Sequence, residues 1–256
     1  MRREDLKQLL IEVGMDVLID EGLARGTERL TFKRVFDRTA EERGVRVTNA
    51  SVIGRIWADM ADYQADVLAA ALESIDRVGV EETIRAAAEV LVAAELDSPA
   101  GRRAATTEVV RVACAAHMET LIRSRTANLT IGLRGLGVSR LPSDEGTPAA
   151  ASLRRAYEVY CVRWDFALGQ AFEVLGVQMR PGVSIRQLSM LAISLAEGST
   201  IWERVDPTMS RQILLPTGHD GEKQKWTLFA LGLEALVWQV AELDDDWTTG
   251  SAGNPE

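Results

Sequence analysis

A short polar segment between residues 49 and 55 carries the most suggestive chemistry in the sequence. On a helix, Ala50, Ser51, Gly54 and Arg55 project to one side, which combines small side chains with a single cation. Small side chains allow a helix to sit deep in the major groove of DNA, where a hydroxyl and a guanidinium can reach base edges or phosphates. The pattern therefore predicts a surface that contacts double-stranded DNA.

Four neighbouring residues extend this predicted surface. Thr31 and Thr48 each stand directly before a predicted helix, and helix N-termini are favourable sites for phosphates. Arg46 lies in the turn between these helices, and Asn49 is the first residue of the second one. The alternative is a three-helix subdomain that does not bind DNA, with Arg55 as an ordinary solvated residue.

Helical periodicity predicts the elements that hold this segment. A first amphipathic helix is expected over residues 4–21, and a second runs from the Thr31 cap to Gly44. A third, short helix is expected over about 49–57, and Asp59 is expected to cap a fourth that reaches about residue 78. The packing side of the third helix would be formed by Asn49, Val52, Ile53, Ile56 and Trp57.

The distribution of charge permits nucleic-acid binding although the chain is acidic overall. The formal net charge is −9, but residues 1–57 hold 11 basic and 10 acidic side chains. The remainder holds 18 basic and 28 acidic side chains, so the acid is concentrated downstream. This asymmetry is consistent with a DNA-binding head on an acidic body.

The N-terminal third of the chain resembles the TetR family of transcriptional regulators. The resemblance rests on the segments "LTFKRVFDRTAEERGV", "TNASVIGRIW" and "ADMADYQADVL", in that order, and covers about residues 5–75. Leu30-Thr31 matches the start of the family's second helix, and Gly44-Val45 matches its Gly-Val turn. Trp57 stands where the family usually has phenylalanine.

The resemblance implies a homodimer that binds a two-half-site DNA operator and a small-molecule pocket in the C-terminal domain. The implied function is ligand-responsive transcriptional regulation, most often repression. The chain departs from the family at Gly54, where a phosphate-binding tyrosine is usual, and at Met60, where a lysine is usual. These departures favour an alternative, a helical dimeric interaction protein of the same fold with weakened or lost DNA binding.

The predicted fold class is all-α, with an N-terminal three-helix helix-turn-helix domain over residues 1–60 and a C-terminal helical bundle over 61–245. Helices are expected over about 80–95, 101–123, 125–135, 148–176, 184–204 and 222–243. The Gly- and Pro-rich stretch from Gly135 to Pro148 is the clearest loop. No strand is predicted, and residues 246–256 are expected to be a disordered tail.

The last two predicted helices have the pattern of a dimer interface. Helix 222–243 has two apolar stripes, one of which starts at Trp226, and a helix that is apolar on two faces is buried on both. Together with helix 184–204 it suits a four-helix interface between two copies. The predicted interface residues are Leu191, Leu195, Trp202, Phe229, Leu233, Leu236 and Val237. Alternatively, both faces lie within the core of one chain.

Two of the middle helices carry candidates for a ligand pocket. His117 and Met118 lie on helix 101–123, and Tyr157, Tyr160 and Trp164 lie on helix 148–176. Such side chains can line an apolar cavity with a few polar groups, as ligand sites usually do. Tyr160 and Trp164 are the preferred candidates, although each aromatic residue could equally be part of the core.

Nothing in the sequence predicts catalysis, a metal site or a cofactor. The two histidines, His117 and His219, and the two cysteines, Cys114 and Cys161, have no zinc-binding spacing. We expect both cysteines to be buried thiols, with a redox pair as the alternative. The segment MRREDLKQLL has no apolar signal core and no apolar run reaches the roughly 18 residues of a membrane span, so a cytoplasmic location is expected.

Overall fold

The computed structural model describes residues 1–21, 30–73, 80–138, 148–210, 213–218 and 221–247, and these residues are mostly helical. The chain divides into two compact units, residues 1–76 with 124–158 and residues 77–123 with 159–256. The division does not follow residue 60, because the fourth helix packs against the first and belongs to the same unit. Within the described residues, no helix has both the length and the apolar character that crossing a membrane requires.

The first unit contains five helices among its described residues and the first part of a sixth. They are α1 (Arg3–Glu21), α2 (Phe32–Arg43), α3 (Asn49–Val52), α4 (Met60–Glu73), α7 (Arg125–Val138) and α8 (Pro148–Leu175), of which residues up to Glu158 belong here. Their fully buried side chains include Leu10, Val13, Leu30, Val35, Val52, Tyr63 and Val67. Helices α1, α4 and α7 therefore surround a core that also receives α2 and the turn after α3.

The ends of α2 confirm the predicted caps. The Thr31 hydroxyl accepts a hydrogen bond from the Arg34 N–H at 3.4 Å, and Gly44 has a left-handed φ of 66° with its N–H bonded to the Ala40 carbonyl. The start of α4 is also as predicted, because the Asp59 carboxylate accepts a hydrogen bond from the Asp62 N–H at 3.0 Å. The predicted end of α4 near residue 78 lies outside the described residues.

The second unit is built on long helices, and all of these except the last match the predicted ones within a few residues. It contains α5 (Val80–Ala93), α6 (Pro99–Arg123), the part of α8 from Val159 to Leu175, α9 (Ile185–Val205), α10 (Pro207–Ser210) and α11 (Leu228–Val240). Helix α6 packs on α5, α9 and α11, and α9 packs on α11. Most of the Gly- and Pro-rich stretch predicted as a loop lies outside the described residues.

The prediction that the chain contains no strand is wrong. Strand β1 (Val177–Met179) pairs antiparallel with β4 (Ala241–Leu243), and β2 (Ile213–Leu215) pairs antiparallel with β3 (Gln224–Trp226). The last helix is therefore shorter than the predicted 222–243. It begins after Thr227, whose hydroxyl accepts a hydrogen bond from the Ala230 N–H at 3.0 Å, and Trp226 lies in β3 rather than on the helix.

The prediction of disorder from residue 246 is wrong for the first two residues. Asp246 lies in a turn, and the Trp247 indole N–H donates a hydrogen bond to the Glu173 carbonyl at 3.0 Å. The Trp247 ring covers Gly176, where a Cβ would lie only 2.5 Å from the ring, and the Arg102 guanidinium lies 4.8 Å from its centroid. The rest of the tail lies outside the described residues.

Candidate functional site

The third helix is much shorter than the predicted 49–57. Helix α3 covers Asn49–Val52 alone, and Ile53 has extended backbone dihedrals. Gly54 then adopts a left-handed φ of 73° and its N–H donates to the Trp57 carbonyl at 2.8 Å, which closes a tight turn. Because the chain leaves the helix at Ile53, residues 49–57 do not share one helical face.

The predicted division of this segment into a packing side and an outer side holds only in part. Val52 and Trp57 are buried in the core as predicted, and the Trp57 indole N–H donates to Asp66 at 2.8 Å. Asn49 and Ile53 were expected on the packing side but are exposed. The extended backbone of Ile53 and the turn at Gly54 account for the exposure of Ile53, since they direct its side chain away from the core.

The polar residues around α3 differ in how far they are available to a partner molecule. The Ser51 hydroxyl donates to the Thr48 carbonyl at 2.6 Å and accepts from the Thr48 N–H at 3.2 Å, so it is engaged in its own turn. Ala50 and Asn49 are exposed, as are Thr31, Thr48, Gly54, Arg46 and Arg55. The predicted DNA-contacting residues are thus on the surface, except that Ser51 is half-buried.

Exposed cations lie at the start of α2 and in the chain segments before and after α3. Lys33 lies in the first turn of α2, Arg46 lies in the loop before α3, and Arg55 lies in the turn after it. These three side chains make no ion pair with another described residue, whereas Arg38 is paired with Asp20 at 2.5 Å. Lys33, Arg46 and Arg55 therefore present their positive charge to solvent.

Neighbouring acids neutralise other cations of the first unit. The guanidinium groups of Arg38 and Arg125 both contact the Asp20 carboxylate. Their hydrogen bonds hold the pKa of Asp20 below its usual range. A second acid, Asp16, lies 3.8 Å from Arg43. These cations join α1 to α2 and α7, which indicates a structural role for them.

Met60, where the resemblance implies a lysine, packs against the core. It is half-buried and contacts the buried cluster that contains Trp57 and Tyr63. Burial raises the pKa of the Tyr63 hydroxyl, which donates to the Leu10 carbonyl at 2.7 Å. The start of α4 therefore presents an apolar side chain to the interior and no cation to solvent at this position.

The second unit contains an apolar cavity of about 270 Å³ between α5, α6 and α8. Its wall includes Thr83, Cys114, Trp164 and Gln170, and the rest of the wall is formed by alanine and larger apolar residues such as Leu168 and Leu233. Two further wall residues, Ile84 and Phe166, are exposed to solvent. The cavity therefore opens to solvent beside them.

The structure places only one of the five predicted pocket residues, Trp164, in the wall of this cavity. His117 and Tyr160 are buried behind it, where the His117 Nε2 and the Tyr160 hydroxyl oxygen are 3.0 Å apart. Met118 borders a different cleft, and its sulfur accepts a hydrogen bond from Thr200. Tyr157 is half-buried on α8 and is not among the described residues that line the cavity.

A chain of buried polar groups supports the cavity wall. The Thr83 hydroxyl oxygen lies 3.2 Å from Nδ1 of His117, whose ring in turn contacts the edge of Trp164 at a centroid distance of 5.1 Å. Phe229 packs on Trp164 from α11 at 6.1 Å. The indole ring is therefore held from two sides. Its own N–H is buried and has no hydrogen-bond partner among the described residues.

The predicted dimer residues separate into three groups by exposure. Phe229, Leu233 and Val237 are at most 2% exposed and lie in the core of the second unit, so these side chains are not available to a partner. This corrects their assignment to the interface, because the side of α11 that carries them packs against α6 and α9. Leu195 and Leu236 are half-buried.

The remaining predicted residues belong to an exposed apolar face. Leu191 and Trp202 on α9 are 42% and 59% exposed. The packed helices α9 and α11 expose further large apolar side chains, namely Met190, Ile201, Val205, Leu228 and Leu231. We refer to Leu191, Trp202 and these five residues as the α9/α11 face. Large exposed apolar patches commonly mark interaction surfaces.

Sequence reasoning missed Thr83, Cys114 and the alanines of the cavity wall. A line of small residues in α5, Ala86-Ala87-Ala88, was the available signal, since small side chains leave space beside a helix. Both cysteines are buried, as predicted, and burial raises the pKa of the Cys114 thiol. In the part of the chain that the structure describes, no group of three or more potential ligands could hold a metal ion. His219 lies outside that part.

No protein-family model matches the chain, and no functionally described protein sequence matches it either.

Proposed function

We propose that the protein is a ligand-responsive, DNA-binding transcriptional regulator of the TetR type. Residues 31–55 of the first unit contact the operator, and two copies join through the α9/α11 face. A small molecule in the second unit shifts the population towards a form with lower DNA affinity, as in a repressor released by its ligand. The observation that carries the proposal is a set of exposed cations, Lys33 at the start of α2 and Arg46 and Arg55 on either side of α3 in the chain.

The physical basis is that phosphate contacts supply most of the affinity of many DNA-binding proteins. A cation that already has an acidic neighbour, such as Arg38, must give up that pairing before it can neutralise a phosphate. Exposed cations that have no such pairing with another described residue, like Arg46 and Arg55, lose less on binding. The exposed Thr31 cap adds the N-terminus of α2, which also favours phosphate.

The test is the salt dependence of binding to a fluorescent duplex taken from the DNA upstream of the protein's own coding region. Arg55→Ala should weaken binding and lower the slope of log K against log[salt] by about 0.9, the loss expected for one phosphate contact. Replacing Lys33, Arg46 and Arg55 together should lower it by about 2.7, three times that value. Arg123→Ala, which removes the same charge from the second unit, is the matched control and should change neither quantity.

A second candidate function is a dimeric interaction protein with weakened or lost DNA binding. It is favoured by the single turn of α3, by the Ser51 hydroxyl bonded to the Thr48 backbone, and by the inward position of Met60. Absence of DNA binding at low salt by the folded protein would support this candidate and overturn the regulator.

Dimer formation is common to both candidates and has a separate test. Trp202→Glu places a charge in the α9/α11 face, and desolvating an unpaired charge opposes association. Sedimentation should then give the chain mass of 28.0 kDa in place of twice that value. Val92→Glu on α5, where the side chain is 90% exposed and outside this face, is the control that should leave the dimer intact.

A further inference from the structure

The apolar cavity of the second unit restricts the size of any molecule that it holds. Its volume is about 270 Å³, whereas an apolar cavity of roughly 150 Å³ in another protein holds benzene. The opening beside Ile84 and Phe166 gives access from solvent. A molecule about as large as two fused rings fits this space.

The wall of the cavity also restricts the charge of its occupant. None of the described residues that line it is charged, and most of the wall is aliphatic or aromatic. Burial of an ion without a partner is very costly, and a charged molecule would find no partner here. The occupant is therefore expected to be neutral.

Trp164 supplies one directional contact within this wall. The Thr83 hydroxyl is already hydrogen-bonded to His117, and the Gln170 amide is exposed to solvent and donates one of its two N–H groups to Glu173 at 3.2 Å. The Trp164 indole N–H is buried without a partner in the described part of the chain, although its ring lines the cavity. An unsatisfied buried donor is costly, so an acceptor on a bound molecule would relieve this cost.

We propose that this cavity binds a neutral, mainly apolar molecule of about two fused rings that carries one hydrogen-bond acceptor, such as a ketone or ether oxygen, and that Trp164 selects for this acceptor. The edge contacts of His117 and Phe229 fix the indole ring before the molecule arrives, which reduces the ordering required on binding. The claim that this molecule is the regulatory ligand rests on the proposed function. The claim that the cavity binds it does not.

The experiment compares three probes of similar shape by titration calorimetry on the full chain without DNA. They are 2-acetylnaphthalene, which has a ketone oxygen, 2-ethylnaphthalene, which lacks it, and the anion 2-naphthoate. The ketone should bind, and the anion should bind at least about tenfold more weakly than the ketone. Naphthoate binding as tight as the ketone, or no binding of the ketone, would overturn the proposal.

Two tryptophan variants test the role of the indole N–H. Trp164→Phe keeps an aromatic ring but removes the donor, so the ratio of ketone affinity to hydrocarbon affinity should fall about three- to tenfold. Trp238→Phe is the matched control, since the Trp238 indole N–H is also buried and unpaired among the described residues but does not line this cavity. Because each ratio is measured within one variant, a change in folding stability does not imitate the effect.

A third variant locates the binding. Ala87→Leu fills part of the cavity and should weaken the ketone and the hydrocarbon equally. An unchanged affinity in this variant, or an unchanged ratio in Trp164→Phe, would refute the proposal. DNA binding is measured in a separate experiment without probe. A failure of the proposed ligand binding can therefore be distinguished from a failure of the proposed regulatory function.

Discussion

Gly14, in the middle of α1, gives a prediction whose sign depends on tertiary packing. In an exposed helix, replacing glycine by alanine stabilises by about 1 kcal/mol. Here an added Cβ would lie 2.3 Å from the Tyr63 hydroxyl oxygen and 2.8 Å from Cγ2 of Val67. Tyr63 is fully buried and bonded to the Leu10 carbonyl, so it cannot rotate away. Overpacking of this severity costs about 3 kcal/mol, so Gly14→Ala should destabilise by about 2 kcal/mol net.

A double-mutant cycle tests the stated cause. Tyr63→Phe alone should cost about 1 kcal/mol through loss of its hydrogen bond. Combined with Gly14→Ala it also removes the closest contact, so the pair should destabilise by at least about 1 kcal/mol less than the sum of the two single changes. The rescue should be partial, because the Val67 methyl group remains.

The assay is urea unfolding followed by circular dichroism, with hydrogen exchange of α1 peptides to assign the loss to the first unit. Gly14→Ala should lower the urea midpoint and the protection of α1. A midpoint above that of the unchanged protein, or strictly additive effects in the cycle, would refute the reasoning.

Three further predictions concern packing and titration. Trp247→Ala should lower the free energy of unfolding by about 2 kcal/mol in urea titrations, because it removes a half-buried ring and its bond to Glu173; an unchanged midpoint would contradict the observed docking. Burial raises the pKa of the Cys114 thiol, so this thiol should remain unmodified by Ellman's reagent at pH 8 until the protein unfolds, and fast labelling of the native protein would oppose this. Arg38 helps to lower the pKa of Asp20, so Asp20→Asn should lower the free energy of unfolding at pH 7. This difference between the two proteins should disappear as the pH falls below 3.8. A difference that does not depend on pH would count against the pairing.

The helices that the sequence predicted well have clear signals at both ends. Thr31 and Gly44 delimit α2 because one side chain caps the first turn and the other residue accepts a left-handed φ. Residues 148–176 were predicted from one long apolar stripe, and α8 differs by a single residue at its end. Local capping and periodicity are sufficient where a helix is long and packs on one side.

The errors arise where a residue is compatible with two local backbone structures. The apolar residues Val52, Ile53, Ile56 and Trp57 have helical spacing, but Gly54 can continue a helix or turn it by a left-handed φ. Gly54 adopts the left-handed φ, and the helix ends before it. The strands β1 and β4 are distant in sequence and are three residues long, so their pairing depends on tertiary contacts that periodicity does not encode.

The candidate sites were predictable as regions but less so as individual side chains. Aromatic spacing on α8 placed Trp164 correctly, yet Tyr160 shares its stripe and lies in the core behind the wall. In the same way, Trp202 and Val237 both belong to apolar stripes, but one is exposed and the other is fully buried. An apolar stripe identifies the side of a helix that is buried or that binds a partner, whereas the element packed against it decides which residue lines a cavity or an interface.

The length of α3 determines what kind of DNA recognition the proposed function involves. Four residues rise only about 6 Å, so few side chains of this helix can reach base edges at one site. With the Ser51 hydroxyl engaged locally, Asn49 and Arg55 remain the polar candidates for base contacts. Affinity would then come mainly from phosphates, with a steep salt dependence and a small penalty for each mismatched base. Operator selection would depend on the spacing of two half-sites, and for this reason the α9/α11 face is as important to the proposed function as the cations of the first unit.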